Sequence, residues 1–167
     1  MDMLNQKRQP KHYLKFGQVA HIMKKYKDTY SRVNEWLQEA GNLAYRRGYS
    51  ETIFGRKRFF QRPQGGPDFE TQVASIKRQG ANAAIQGTSA DITKLAMLNL
   101  HDDLRQYNYD AGIILQVHDE IAVLAHKSQA ESVKEMIDES MVRSGQQLLK
   151  RVPVKVDSYV GDMWKKG

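Results

Sequence analysis

The chain has 167 residues, enough for one domain of ordinary size, with 40% hydrophobic residues to build a core and 27% charged residues to solvate its surface. Its formal net charge of +7 favours a polyanionic partner, nucleic acid before an anionic membrane surface, although a basic soluble protein with neither partner has the same balance. The absence of cysteine excludes disulfides and thiolate metal sites, no run approaches the roughly 20 apolar residues of a membrane span, and the polar stretch Met1 to Pro10 is unlike a secretory signal.

These features predict a soluble, cytoplasmic chain with no membrane partner. Residues 1–15 have no clear period and include Lys7, Arg8, Pro10 and Lys11, which reads as a loose basic lead-in. From about Gln18 to Arg47, apolar residues recur at helical spacing through Ile22, Tyr26, Tyr30, Val33, Trp36, Leu37, Ala40 and Leu43. The pattern predicts one long helix, or two with a break near Thr29 to Ser31, stopped by Gly48. Trp36, Trp164 and the helix tyrosines are expected in the core. Tyr49 to Phe60 reads as extended with a turn at Gly55, and Arg62 to Pro67 as a loop around Pro-Gln-Gly-Gly-Pro.

Helical spacing returns from about Phe69 to Tyr107. Gly80 and Gly87 mark either a break or a close approach of another backbone. Gly112 to Val117 and Glu120 to Ala125 are β-prone runs separated by His118 and Asp119, which predicts a hairpin. Ser128 with Glu131 suggests a capping box opening a helix to about Lys150. Val152, Val154 and Val156 alternate with Pro153 and Lys155, the pattern of a strand with one buried face. The fold class is therefore α+β, an antiparallel sheet backed by long helices.

Several residues invite a chemical reading, and each has a plainer one. Asp119 and Glu120 at a hairpin tip could hold a divalent cation, because rigid strands fix carboxylates and hard oxygens suit magnesium; Asp is equally common in turns for its local backbone bonds. Arg78, Asn82 and Gln86, at i, i+4 and i+8, share one helix face and could follow a duplex minor groove, or simply form a solvated polar face. Arg46, Arg47, Arg56, Lys57, Arg58 and Arg62 could contact phosphates, or serve as a solubilising loop. His118 could act as a base, but a hairpin-shaping role explains it as well. His12, His21, His101 and His126 have no metal-ligand spacing.

Four stretches together carry a resemblance. Gln116-Val-His-Asp-Glu120 between two apolar runs resembles the last catalytic motif of family A DNA polymerases, the bacterial repair and phage replication type. Arg78, Asn82 and Gln86 leading into Gly87-Thr-Ser-Ala-Asp91 and Lys94 resemble the palm helix of that family. Arg46-Arg-Gly-Tyr49-Ser-Glu-Thr52-Ile-Phe-Gly55-Arg56-Lys-Arg58 is similar to its Gly-Tyr-x-x-Thr-x-x-Gly-Arg-Arg segment, and Val152 to Val156 with Gly161-Asp-Met-Trp164 is similar to its closing strand and tail. The blocks stand in family order over about Tyr26 to Trp164.

The resemblance implies a palm sheet with a catalytic hairpin, preceded by a basic helical part from the base of the fingers, all within one fragment spanning 1–167. It implies a DNA-directed DNA polymerase using two magnesium ions. Asp119 would be one metal carboxylate, Glu120 a helper, and His118 a hairpin-shaping residue near the primer end. Arg78, Asn82, Gln86, Arg56, Arg58 and Lys94 would contact primer-template DNA. The family's other catalytic Asp, in an Asp-Tyr-Ser-type motif, and its nucleotide-gripping fingers helix do not occur here. An N-terminal half is thus expected as partner, with dNTP bound in the complemented complex, in the host cytoplasm if the chain is phage-encoded. A cut fragment, a degenerate remnant and a non-catalytic DNA-binding module stay open beside a naturally split subunit. So does a weaker reading, a magnesium nuclease using Asp91, Asp119 and Glu120. The family's Pro before the Gln86 block is replaced by Ala84.

Overall fold

The computed structural model describes residues 14–164, so the expected lead-in lies, up to residue 13, outside the described residues. Helices α1 (Phe16–Thr29) and α2 (Ser31–Arg47) are followed by short strands β1 (Tyr49–Glu51) and β2 (Lys57–Phe59). The long helix α3 (Phe69–Gln106) leads to strands β3 (Ala111–Val117) and β4 (Glu120–Ala125), a 3-10 turn at Lys127–Gln129, and helix α4 (Ala130–Leu148). The fold mixes helices with small antiparallel sheets, β1 paired with β2 and β3 with β4. Among the described residues no helix is long and apolar enough to cross a membrane.

The chain forms two compact units: the described residues up to Gly48 with Phe60–Ala81, and Tyr49–Phe59 with the described residues from Asn82 onward. In the first unit, α1 and α2 break at Tyr30, whose carbonyl accepts from Asn34 N at 3.0 Å and whose ring lies 5.0 Å from that of Tyr26. Gly48 ends α2 with φ +79, a conformation glycine adopts without Cβ strain. α2 meets the start of α3 through small residues. A Cβ on Gly41 would lie 2.6 Å from the Lys77 carbonyl oxygen, and one on Gly80 would collide with the Ala44 side chain. Gly80 therefore permits a close approach, and α3 runs through it unbroken. Most of the aromatic residues expected in the core are not there: Trp36 is 43% exposed and Trp164 49%, with Tyr26 and Tyr30 likewise outward, while Tyr45 is half-buried. The apolar stripe of α1 buries none of its residues, so helical periodicity located the stripe but not a covering layer.

The core of the second unit is Leu100, Leu104 and Val133, each at most 3% exposed. Ile113, Ile121 and Val123 of the β3–β4 hairpin pack on it, as do Met136 and Ile137 of α4. α3 and α4 also meet through buried hydroxyls: Ser140 Oγ donates to the Ala96 carbonyl at 2.9 Å, and Asn99 Nδ2 donates to Ser144 Oγ at 2.9 Å. Two expectations need correction. The Ser128–Glu131 capping box does not form, because Ser128 lies in the 3-10 turn, where its backbone N–H donates to His126 Nδ1, and α4 starts at Ala130 and ends at Leu148. Val152 to Val156 do not make a strand. The alternation is real, with Val154 and Val156 half-buried, but the partner is a helix: Val154 seats on Gly145, and Ser158 Oγ donates to Asp138 Oδ2 at 2.7 Å.

Candidate active site and nucleic-acid interface

Strands β3 and β4 pair antiparallel from Ala111↔Ala125 to Val117↔Glu120, leaving His118 and Asp119 as a two-residue loop. The register shifts between Ile113 and Leu115, so Ile114 is an extra residue that bends β3 before the tip. His118 has φ +54. A left-handed residue at the first loop position suits the twist of a tight hairpin, but glycine is the usual occupant, and a side chain there costs about 1–2 kcal/mol. The Gln116 side-chain amide donates to the His118 carbonyl and ties the strained turn back to β3. Sequence reasoning quoted Gln116 within the motif without giving it this role; its position two residues before the loop was the available signal.

Asp119 and Glu120 are exposed at this tip, next to one another in the chain. Among the described residues no group of three or more His, Asp or Glu could hold a metal ion. The donor chemistry nonetheless fits magnesium, which commonly takes one or two protein carboxylates and fills its remaining positions with water and substrate phosphate oxygens. Asp91 does not join these acids as a nuclease would need. Thr52 Oγ1 donates to its Oδ2 at 2.6 Å, and Arg56 Nε donates to its Oδ1 at 2.7 Å. Its side chain is only 9% exposed. Burial pushes the Asp91 carboxyl up, but the Thr52 hydroxyl, the Arg56 guanidinium and the nearby Lys94 charge outweigh that and hold it below its ordinary value.

Arg56, with its side chain 49% exposed, is engaged on its protein side. Besides Asp91, it donates from Nη2 to the Gly87 carbonyl at 2.9 Å. Gly87 is needed for this approach: a Cβ there would lie 2.6 Å from Thr52 Cγ2. Ile53 N donates to Thr88 Oγ1 at 3.3 Å, and the turn at Gly55 has φ +83. Residues 52–56 of one stretch and 87–91 of the other are thus interlocked within the second unit. Arg58 is exposed on β2, and Lys57 stands 4.7 Å over the Tyr49 ring. Lys94, Asn82 and Gln86 are exposed on the part of α3 in the same unit. Arg78 is exposed on the earlier part of that helix, in the first unit. Arg62 donates to the Arg46 carbonyl within the first unit.

The sequence matches the family model described as DNA polymerase family A over residues 11–166. It is 34% identical over 153 residues to the thermostable DNA polymerase I of Thermus aquaticus, covering 89% of this chain and 17% of that protein. It is 36% identical over 143 residues to DNA polymerase I of Aquifex aeolicus, covering 86% and 22%. Among solved structures, the POL domain of Pol1 from M. smegmatis in complex with DNA primer-template and dNTP aligns with a TM-score of 0.67 at 28% identity, over 73% of this chain and 21% of that one. The chain spans about a fifth of the length of these relatives.

Proposed function

The chain belongs to DNA polymerase family A, and from that premise we propose that it supplies the primer-template grip and one metal-binding carboxylate motif of a magnesium-dependent DNA polymerase, the other catalytic Asp and the fingers coming from an N-terminal half. The observation that carries this reading is the β3–β4 hairpin, which presents two exposed carboxylates at a tip held by strands seated on a core of fully buried residues. Bound magnesium would activate the primer hydroxyl and stabilise the charge that develops on the transferred phosphate. Asp119 holds one oxygen ligand in place, Glu120 adds negative charge beside it, and His118 shapes the turn near the primer end.

Asn82, Gln86 and Arg78 are exposed on one helix at four-residue intervals. Long donors at that spacing suit the acceptor atoms that every base pair presents in the minor groove, which holds a duplex without strict sequence choice. Arg58 and Lys94 contribute phosphate contacts, which position DNA without reading it. We assign the chain to the cytoplasm, with its DNA and nucleotide substrates.

The test is binding of the full chain to a primer-template duplex over a range of salt concentrations. If four phosphates are contacted, log affinity falls against log salt with a slope of about −3.6. Arg58→Ala flattens the slope by about one unit. Gln86→Ala lowers affinity at every salt concentration and leaves the slope unchanged. Affinity indifferent to salt would remove the basis for the phosphate grip.

A further inference from the structure

An acid inside a basic DNA-binding body is a liability on charge alone. Asp91 is ionised, lies in the same unit as Arg58, Lys94, Asn82 and Gln86, and repels the phosphates these side chains would approach. Its burial and its partners suggest what compensates. Both carboxylate oxygens are engaged by residues of the β1–β2 hairpin, and the same guanidinium reaches the α3 backbone at Gly87. Ile53 N adds a bond to Thr88 Oγ1, and Thr52 packs against Gly87, so the hairpin is held to α3 largely through this polar seam. β2 is exposed along its length, and β1 buries only Ser50.

We propose that Asp91 is a positioning residue for nucleic-acid binding. Through Arg56 and Thr52 it fixes the β1–β2 hairpin on α3, so that Arg58 meets the duplex backbone in register with the groove contacts of Asn82 and Gln86. Arg56 is the clamp in this arrangement and not itself a phosphate ligand. The proposal rests on the phosphate role given to Arg58 above. It reverses the sign expected from charge: removing a negative charge weakens binding to a polyanion.

Primer-template affinity at several salt concentrations is compared for the unchanged chain, Asp91→Asn, Arg58→Ala, the double variant and Arg56→Lys, each below its own melting temperature. Asp91→Asn weakens binding about fivefold or more and flattens the salt slope by about one unit, the loss of one phosphate contact. Arg58→Ala does the same alone and adds nothing to Asp91→Asn. Such non-additivity marks coupling, and a merely loosened fold would leave the Arg58 effect intact. Arg56→Lys keeps the charge but cannot bond Asp91 and Gly87 through one planar fork, so it behaves like Asp91→Asn. Arg56→Lys with an unchanged slope shows that the register of Arg58 does not depend on the guanidinium fork and overturns the clamp. Unchanged or tighter binding by Asp91→Asn, with Arg58→Ala still costing its full unit of slope, also overturns it. If Arg58→Ala has no effect in the otherwise unchanged chain, the phosphate reading itself fails and takes the positioning role with it.

Discussion

The two hairpins of the second unit are held by opposite means. β1–β2 has three residue pairs and no apolar residue that is fully buried, and polar atoms fasten it to α3: Thr52 and Arg56 to Asp91, Arg56 to Gly87, and Ile53 to Thr88. β3–β4 is longer and rests apolar side chains on Leu100, Leu104 and Val133. A two-stranded hairpin is marginal by itself, so each depends on its attachment. The polar attachment is specific in direction and can be undone by one proton. The apolar attachment is indifferent to pH and strong enough to carry a left-handed histidine and two exposed acids at its tip. That division suits the proposed roles, an aimed basic hairpin in one case and a rigid carboxylate mount in the other.

The largest effect on the comparison should come from the apolar mount. Leu100→Ala, at a fully buried site, is expected to cost about 3 kcal/mol of unfolding free energy from the lost burial and the cavity left behind. Denaturant titration checks this, and a cost below about 1 kcal/mol would mean that the hairpin does not depend on that core. Asp91→Asn should cost less, about 1–2 kcal/mol, since it weakens two hydrogen bonds at a nearly buried group whose arginine partner is half in solvent. A double-mutant cycle with Arg56→Gln should show strong coupling.

The pH dependence sharpens the contrast. The folded Asp91 carboxyl titrates below its ordinary value of 3.8. Its contribution is therefore present in full above the unfolded value and fades as pH falls through the lower, folded one. The stability gap between the unchanged chain and Asp91→Asn should hold from neutral pH to about pH 5 and shrink below about pH 4. A gap that widens with acid contradicts the clamp. Leu100→Ala should show a gap that does not vary with pH. The smallest effect is expected at the tip: His118→Gly should stabilise by about 0.5–1 kcal/mol, since relief of a left-handed side chain is partly offset by glycine's greater unfolded freedom.

What could be read from the sequence was local. Two β-prone runs with a two-residue loop specified the β3–β4 hairpin. Gly48 and Gly55 marked turns because left-handed backbone favours glycine. What could not be read depended on distant partners. The alternation at Val154 and Val156 is the same whether the covering surface is a strand or, as here, a helix with Gly145 at the contact. Gly80 and Gly87 read equally as a break or a close approach until the residues that approach them, Ala44 and Thr52, are known. Arg56 reads as one more basic residue in a basic run, because its carboxylate lies 35 residues further on. The site was legible as motifs, and the bonding of Thr52 and Arg56 to Asp91 was not.

The most direct test of the central claim is magnesium-dependent primer extension by this chain combined with an N-terminal portion of a family A polymerase that carries the Asp-Tyr-Ser strand and the fingers helix. The combination should extend a primer, and the chain alone should not. Asp119→Asn should lower the rate of the combination by about three orders of magnitude, or about 4 kcal/mol of transition-state stabilisation, while duplex affinity changes by no more than about twofold. Equal extension with and without the Asp119 carboxylate contradicts its place in the metal site, and extension by the chain alone contradicts the division of that site between two halves.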